Sequence, residues 1–439
     1  MAVSSTVSEQ AGDKVYRKIT WRLLPFLLLC YVVAQIDRFN IGFAKLQFIK
    51  DLNLNDAIFG VAASMFAVGY VAFEVPSNLM LARIGVRKTL LRIMVLWGIF
   101  SLLMSFAQGA YYLYLMRFLL GVAEAGFFPG IIVYLTYWFP NRHRGRIMSL
   151  FVISVPIAGA IGGPLSGWLM DRFNGLSGWH GWQWLFLMEG LPAVVLGVIA
   201  YFYLQDNPER AGWLSNDEKQ AIIGDLEADR ISGPGKPSTN FREALRDPKI
   251  YLFSIIYFAY FCSLNTILLW SPTLLRIVGL QKVTDIGWWS GLISVISTIG
   301  MLLAGYSSDR FMERRWHVAL CGLTAAACFL VLPLAAHSVG FTIALLMVAS
   351  IGIFSVLSLF WTIPSTYLGG GAMAGGIALI SSIGYCGAVV SPTLVGWIKV
   401  STGSLYIGLS TIALMLILAM LLLLVFVPAT SKVSISPSR

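Results

Sequence analysis

Apolar runs of about 20 residues, each long enough to cross the hydrocarbon core of a bilayer as a helix, recur from one end of this sequence to the other. Backbone N–H and C=O groups in lipid must be satisfied internally, so such runs are read as helices and not as loops. A membrane barrel would instead show strands of about ten residues that alternate apolar and polar positions. No such alternation occurs, and Ile412 to Val427 is apolar throughout. Charged residues make up only 12% of the chain. That is about half the load of a soluble domain, and the mean hydropathy is +0.77. The expectation is an all-α membrane protein.

The runs place twelve spans at residues 20–42, 57–81, 88–108, 111–139, 147–170, 183–204, 249–275, 285–307, 317–336, 340–364, 372–398 and 404–427. The one long polar stretch follows the sixth span. It carries Pro208, Gly233-Pro234-Gly235 and Pro237, and reads as a linker with a short charged helix near Asn216–Arg230. The chain therefore divides into a first six-helix half, residues 1–204, a linker, 205–248, and a second six-helix half, 249–439. A weak internal repeat supports the division. Gly305, Asp309 and Arg310 after the eighth span correspond by one offset to Asn78, Ala82 and Arg83 after the second. Pro392 corresponds by nearly the same offset to Pro164. Parallel repeats of six helices are the major facilitator architecture, with a substrate site at the bilayer midplane.

Basic residues set the orientation. Of the 31 lysines and arginines, only Lys45, Lys50, Arg172, Arg276, Lys282 and Lys399 fall on the outer side when the N-terminus is placed inside. Arg38 and Arg117 lie within spans. This asymmetry predicts cytoplasmic termini and a cytoplasmic linker in a multi-pass protein of the cell inner membrane. It also accounts for the net charge of +10 without a nucleic-acid partner. The N-terminal residues carry no cleavable signal pattern, so the first run is expected to stay as a helix. The five cysteines lie in apolar runs without a C-x-x-C pair and read as small buried hydrophobes. The four histidines fall at or beyond span ends, which leaves no intramembrane histidine relay. No H-E-x-x-H or Walker A motif is present, so an enzyme is not expected, nor a metal or a cofactor.

The residues that carry chemistry are charges where charges are costly. The first half holds Asp37 and Arg38 in the first span, Glu74 in the second, and Arg117 and Glu124 in the fourth. Glu189, in the sixth, is placed nearer the outer surface, where solvent reaches it. Arg117 and Glu124 are two helical turns apart, on one face and about 10 Å along the axis. Asp37 and Arg38 lie at a depth that lets them share a cavity with that face. A carboxyl so placed is pulled between neutralisation by its apolar surroundings and ionisation by a neighbouring guanidinium, which suits a proton-binding step. Asp37 and Glu124 are the expected proton carriers and Arg117 the tuner of Glu124. Arg38 does not lose its proton and suits bidentate capture of a carboxylate. Tyr70, one turn before Glu74, is a neutral donor within reach of a carboxylate. In the second half Tyr257, Tyr260, Asn265, Trp270, Trp361 and Thr362 mix aromatic bodies with polar tips and can line a pocket. Of these, Tyr260, Asn265 and Trp361 are taken as substrate contacts.

Several stretches resemble one family closely: QIDRFNIGFA from Gln35, GYVAFEVPSN from Gly69, RFLLGVAEAGFFPG from Arg117, YLTYWFP from Tyr134, GWQWLFLMEGLP from Gly181 and AGWLSNDEK from Ala211. They are similar to the anion:cation symporter family of the major facilitator superfamily. The resemblance implies proton-coupled uptake of a small organic anion. It implies a proton site of a first-span aspartate beside an arginine, Asp37 and Arg38, with a fourth-span glutamate, Glu124. It also carries over to Arg117 and Tyr70. Two departures stand out. Asn78 and Ala82 replace the glycine and aspartate usual after the second span. The eleventh span has Ser381 and Tyr385 where sugar-acid members commonly have asparagine. Together with the aromatic groups of the second half, Ser381 and Tyr385 favour an aromatic or short hydroxylated carboxylate over a long sugar acid. The alternatives are a sugar-acid symporter and a carboxylate exchanger or uniporter. The expected partners are the anion, protons and the bilayer, with the monomer as the working unit.

Overall fold

The computed structural model describes residues 2–232, 246–367 and 372–427; the Gly233-Pro234-Gly235 run and Pro237 of the linker lie outside them. Every long element is a helix, and no strand occurs among the described residues. The first half comprises α1 (Ala2–Phe39), α2 (Ile41–Asp51), α3 (Asp56–Ile84), α4 (Val86–Met104), α5 (Ala110–Glu124), α6 (Phe127–Thr136), α7 (Asn141–Val152), α8 (Ser154–Arg172) and α9 (Gly181–Tyr203). The linker holds α10 (Asn216–Ser232). The second half comprises α11 (Pro248–Ile277), α12 (Val283–Phe311), α13 (Arg315–Val331), α14 (Val339–Phe360), α15 (Thr362–Tyr367), α16 (Ala372–Thr402) and α17 (Leu405–Phe426). Ten segments among the described residues are long and apolar enough to cross a membrane. The third expected span is present as α4 and most of the fifth as α8, of 19 residues each. Arg87, Lys88 and Arg92 in α4 lower its mean hydropathy without preventing the helix.

Polar caps mark several helix starts. At α10, Ser215 and Glu218 bond each other's backbone N–H at 3.2 and 2.8 Å, a reciprocal box that satisfies two orphan donors. Lys18 also binds Glu218, at 2.8 Å. Hydrogen bonding from Lys18, then from the Ser215 N–H, holds the Glu218 carboxyl below the usual carboxylate range. At α11 the Asp247 side chain accepts from Lys249 N–H, with Pro248 in the first helical position, where its missing donor costs nothing.

Four expected spans are interrupted. The first breaks at Asn40, between α1 and α2, and the fourth at Ala125–Gly126, between α5 and α6. The fifth, 147–170, breaks at Ile153, between α7 and α8. The tenth breaks at Trp361, between α14 and α15. The breaks in the fourth and tenth have a covalent cause. Pro129 has no N–H to offer the Ala125 carbonyl, and Pro364 has none for that of Phe360. Gly126 then takes φ 87°, a left-handed conformation that side chains avoid. A Cβ there would also lie 2.6 Å from the Ser77 hydroxyl.

The chain forms two compact units. The first comprises Met1–Asn40, Val68–Gly159 and Gln183–Lys236, and the second Ile41–Ala67, Ala160–Trp182 and Pro237–Arg439. Inside the first, Tyr31 stacks on Phe151 with centroids 4.8 Å apart, and Trp97 meets Phe127 edge-on. The linker is tied to the same unit: Tyr16 donates to Asp225 at 2.7 Å, and Trp138 stacks on Trp213.

The second unit is assembled by close backbone approach. A Cβ on Gly60 would lie 2.3 Å from the Pro392 carbonyl, and one on Gly287 2.3 Å from that of Gly163. Small residues of this kind let membrane helices touch through their backbones. The same unit holds an ion cluster: Asp56 forms ion pairs with Lys45 and with Lys399, both at 2.7 Å. The Lys45 ammonium also lies 3.5 Å from the Trp270 ring centroid and 4.3 Å from that of Phe59. Expectation is corrected in four places. Lys45, expected at an outer span end, is 3% exposed, because the helix resumes after Asn40 and continues to Asp51. Trp270, expected among pocket-lining aromatics, covers that lysine instead. Cys386 is exposed on α16 and not buried. Glu189 is buried, at 4% exposure, because α9 turns it inward.

Asp56 is the only carboxylate of this cluster, so Asp56→Asn leaves two cations facing each other. Removing one partner of a buried ion pair costs about 3–5 kcal/mol. Thermal unfolding of the purified variant should show a fall in Tm of several degrees, with Asp56→Glu falling less. An unchanged Tm in Asp56→Asn would contradict the assigned contacts.

Candidate functional site: a buried charge cluster beside two helix breaks

Asp37 and Arg38 occupy the last turn of α1, and Glu124 is the last residue of α5. Both helices end within two residues of these charges. A helix that stops inside a membrane leaves backbone groups and space beside the side chains, which is how transporters build ion and substrate sites.

Asp37, Arg117 and Glu124 are each 2% exposed, and the Arg38 side chain is 18% exposed. Arg38 makes a direct ion pair with Glu124 through Nη2 and Oε1. Its guanidinium also lies 5.2 Å from the Tyr70 ring centroid, a cation–π distance. Arg117 lies within electrostatic reach of both Asp37 and Glu124. The expected fourth-span pair thus shares one environment with the expected first-span pair. Glu74, half-buried, is within electrostatic reach of Arg38 as well.

Asp37 is held differently. Trp97 Nε1 donates to Oδ2 at 2.6 Å. Ser101 Oγ and Asn40 Nδ2 donate to Oδ1, the latter at 3.0 Å. Three donors hold Asp37 in one orientation, and Arg117 acts on it electrostatically. These donors escaped the sequence reading. Trp97 and Ser101 are four apart in α4 and so share a helix face. That spacing was the available signal, but a tryptophan and a serine in an apolar run are ordinary.

The second-half candidates lie in the other unit. Tyr257 is their hub: it stacks on Phe360 at 4.8 Å and on Tyr260 at 5.5 Å, and meets Trp361 edge-on at 4.8 Å. Trp361 Nε1 donates to the Tyr257 hydroxyl at 3.2 Å. Phe261 bridges this group to Tyr385, with centroids 5.1 Å apart. The Tyr260 hydroxyl is buried and has no hydrogen-bond partner among the described residues. Ser381 is exposed, one turn before Tyr385. Asn265 donates to the Phe261 carbonyl of its own helix at 3.0 Å, so part of its amide serves the backbone. Thr362 likewise bonds the Leu359 carbonyl, at 2.6 Å.

A bundle of membrane-length helices with ionisable groups buried beside helix breaks is the arrangement of a membrane transporter. Comparison with known proteins gives the family. The model of the Major Facilitator Superfamily matches residues 27–392, and the chain belongs to that superfamily. A protein of Agrobacterium vitis named for tartrate transport is 41% identical over 426 residues, covering 97% of this chain and 94% of its own. The metabolite transport protein NicT of Pseudomonas putida is 40% identical over 410 residues, covering 93% and 94%. These relatives agree with the resemblance to anion:cation symporters. Among solved structures, a bacterial homologue of the human lysosomal transporter Spinster superposes with a TM-score of 0.71 at 17% identity. It covers 93% of this chain and 95% of its own, and it supports the fold alone.

Trp97→Phe keeps the ring against Phe127 and removes one donor from Asp37. Leaving a buried acceptor short of a bond costs about 1–3 kcal/mol. A measurable loss of Tm is expected for the purified variant. A Tm equal to that of the unaltered protein would mean the bond contributes nothing.

Proposed function

We propose that the protein is a proton-coupled symporter that imports a small organic carboxylate across the cell inner membrane, with both termini and the linker cytoplasmic. The Arg38–Glu124 ion pair, buried where α1 and α5 stop, carries this reading. A guanidinium fork binds one carboxylate well. Glu124 and an incoming carboxylate therefore compete for Arg38. A proton on Glu124 removes its negative charge and releases the fork to the substrate.

Charge balance leads to the same coupling. Asp37, Glu124, Arg38 and Arg117 sum to zero when all are ionised. A monocarboxylate entering alone would leave one uncompensated negative charge in a medium of low dielectric, which is costly. One proton arriving with it restores neutrality. Arg117, within reach of both carboxylates, sets how readily each accepts that proton. Tyr70 holds the Arg38 guanidinium over its ring while the partners exchange.

Specificity belongs to Tyr260, Trp361, Tyr385, Ser381 and Asn265 in this proposal. Flat aromatic faces favour ring-bearing acids, and the hydroxyls of Tyr260 and Ser381 suit a short hydroxylated one. The names of the relatives, one of which specifies tartrate, support the second class. The substrate is accordingly an aromatic or short hydroxylated carboxylate.

Glu124→Gln tests the coupling step. The amide imitates the protonated acid, so the variant should lose concentrative uptake of tartrate or benzoate in energised cells. Exchange of the same anion across preloaded vesicles should continue. Concentrative uptake at the unaltered rate in Glu124→Gln would move the proton to another group.

A further inference from the structure

Away from these charges, a groove of about 610 Å³ runs between α1 and α7 in the first unit. Its two walls share one pattern. Along α1, Lys14 and Arg17 give way to Trp21, then to Leu24 and Leu28, at the three- and four-residue steps that keep one helix face. Along α7, His143 and Arg146 give way to Ile147 and Leu150. The polar ends coincide, because the Tyr16 and His143 rings lie 4.4 Å apart between them. The groove is therefore cationic at one end and apolar along the rest.

Lys14, Arg17 and Arg146 are exposed and make no hydrogen bond or ion pair with any described residue. No carboxylate is among the described lining residues. The nearby Asp225 is occupied by Tyr16 and by Arg142, both at 2.7 Å. Trp21 is 74% exposed beside this cationic rim. Tryptophan prefers the depth of lipid headgroups, with its ring against acyl chains.

We propose that this groove binds an anionic diacyl phospholipid, its phosphate held by Lys14, Arg17 and Arg146 and an acyl chain laid along Trp21, Leu28 and Leu150. The gradient selects an amphiphile. A soluble anion would use the cationic rim and leave the apolar wall wet, whereas a zwitterionic lipid would fill the wall without neutralising the rim. Basic pockets between helices on the cytoplasmic side of membrane proteins serve such headgroups, and the basic excess of this chain places the groove on that side.

Native mass spectrometry of the purified full-length protein tests this, with dioleoyl-phosphatidylglycerol and dioleoyl-phosphatidylcholine titrated separately. Phosphatidylglycerol adducts should persist and phosphatidylcholine adducts should not. Each cation removed should weaken retention about fivefold. The combined Lys14→Gln, Arg17→Gln, Arg146→Gln variant should therefore lose the preference, and the single variant Arg146→Gln should show a partial loss if the triple fails to fold. Millimolar inorganic phosphate should not displace the lipid. Equal retention of both lipids, unchanged preference in the Arg146→Gln variant, or displacement by phosphate would each overturn the proposal, the last in favour of a soluble anion.

Discussion

An ionised group in the hydrocarbon layer must have a partner of opposite charge, or the bundle around it is destabilised by several kcal/mol. The first unit meets this demand at the Arg38–Glu124 ion pair, with Asp37 and Arg117 in the same field. Much of the local structure follows from it. The helices that carry the pair stop beside it, at Asn40 and at Ala125–Gly126. Trp97 and Ser101 face Asp37 from α4 and give its carboxylate the hydrogen bonds that water would otherwise supply. A partner that satisfies a charge too well would also trap it. In the proposed cycle Arg38, the least buried of the four, exchanges one carboxylate for another.

The second unit solves the same problem with one carboxylate and two cations. Asp56 holds Lys45 and Lys399, and the rings of Trp270 and Phe59 cover the Lys45 ammonium. Glycines around it bring backbones close enough for the short lysine–aspartate contacts to form. The two clusters differ in how their charge is closed. The first balances among its four members, and the proposed coupling of anion to proton rests on that balance. The second carries an excess positive charge that aromatic faces partly offset.

The helical architecture was legible because lipid imposes one rule on every residue of a span. Runs of apolar residues report it directly, and α11 to α17 fall within a few residues of where the runs place them. The charged members of the first cluster were legible for the converse reason: Asp37, Arg38, Arg117 and Glu124 stand out where charge is rare. Their neutral partners did not stand out. Trp97, Ser101 and Asn40 are common in spans, and only three-dimensional proximity gives them their role. Lys45 and Asp56 were hidden in another way, since charges at span ends read as loop residues unless the helix is known to continue. Trp270 was misassigned because an aromatic ring suits a pocket and a cation equally well.

The central claim is that each carboxylate enters together with a proton. It is tested most directly by reconstituting the unaltered protein in liposomes and following external pH as tartrate or benzoate is added without a membrane potential. The account predicts a transient alkalinisation that grows with the amount of anion taken up and is abolished by a protonophore. Anion uptake with no change in external pH would contradict it and establish a uniporter or an exchanger instead.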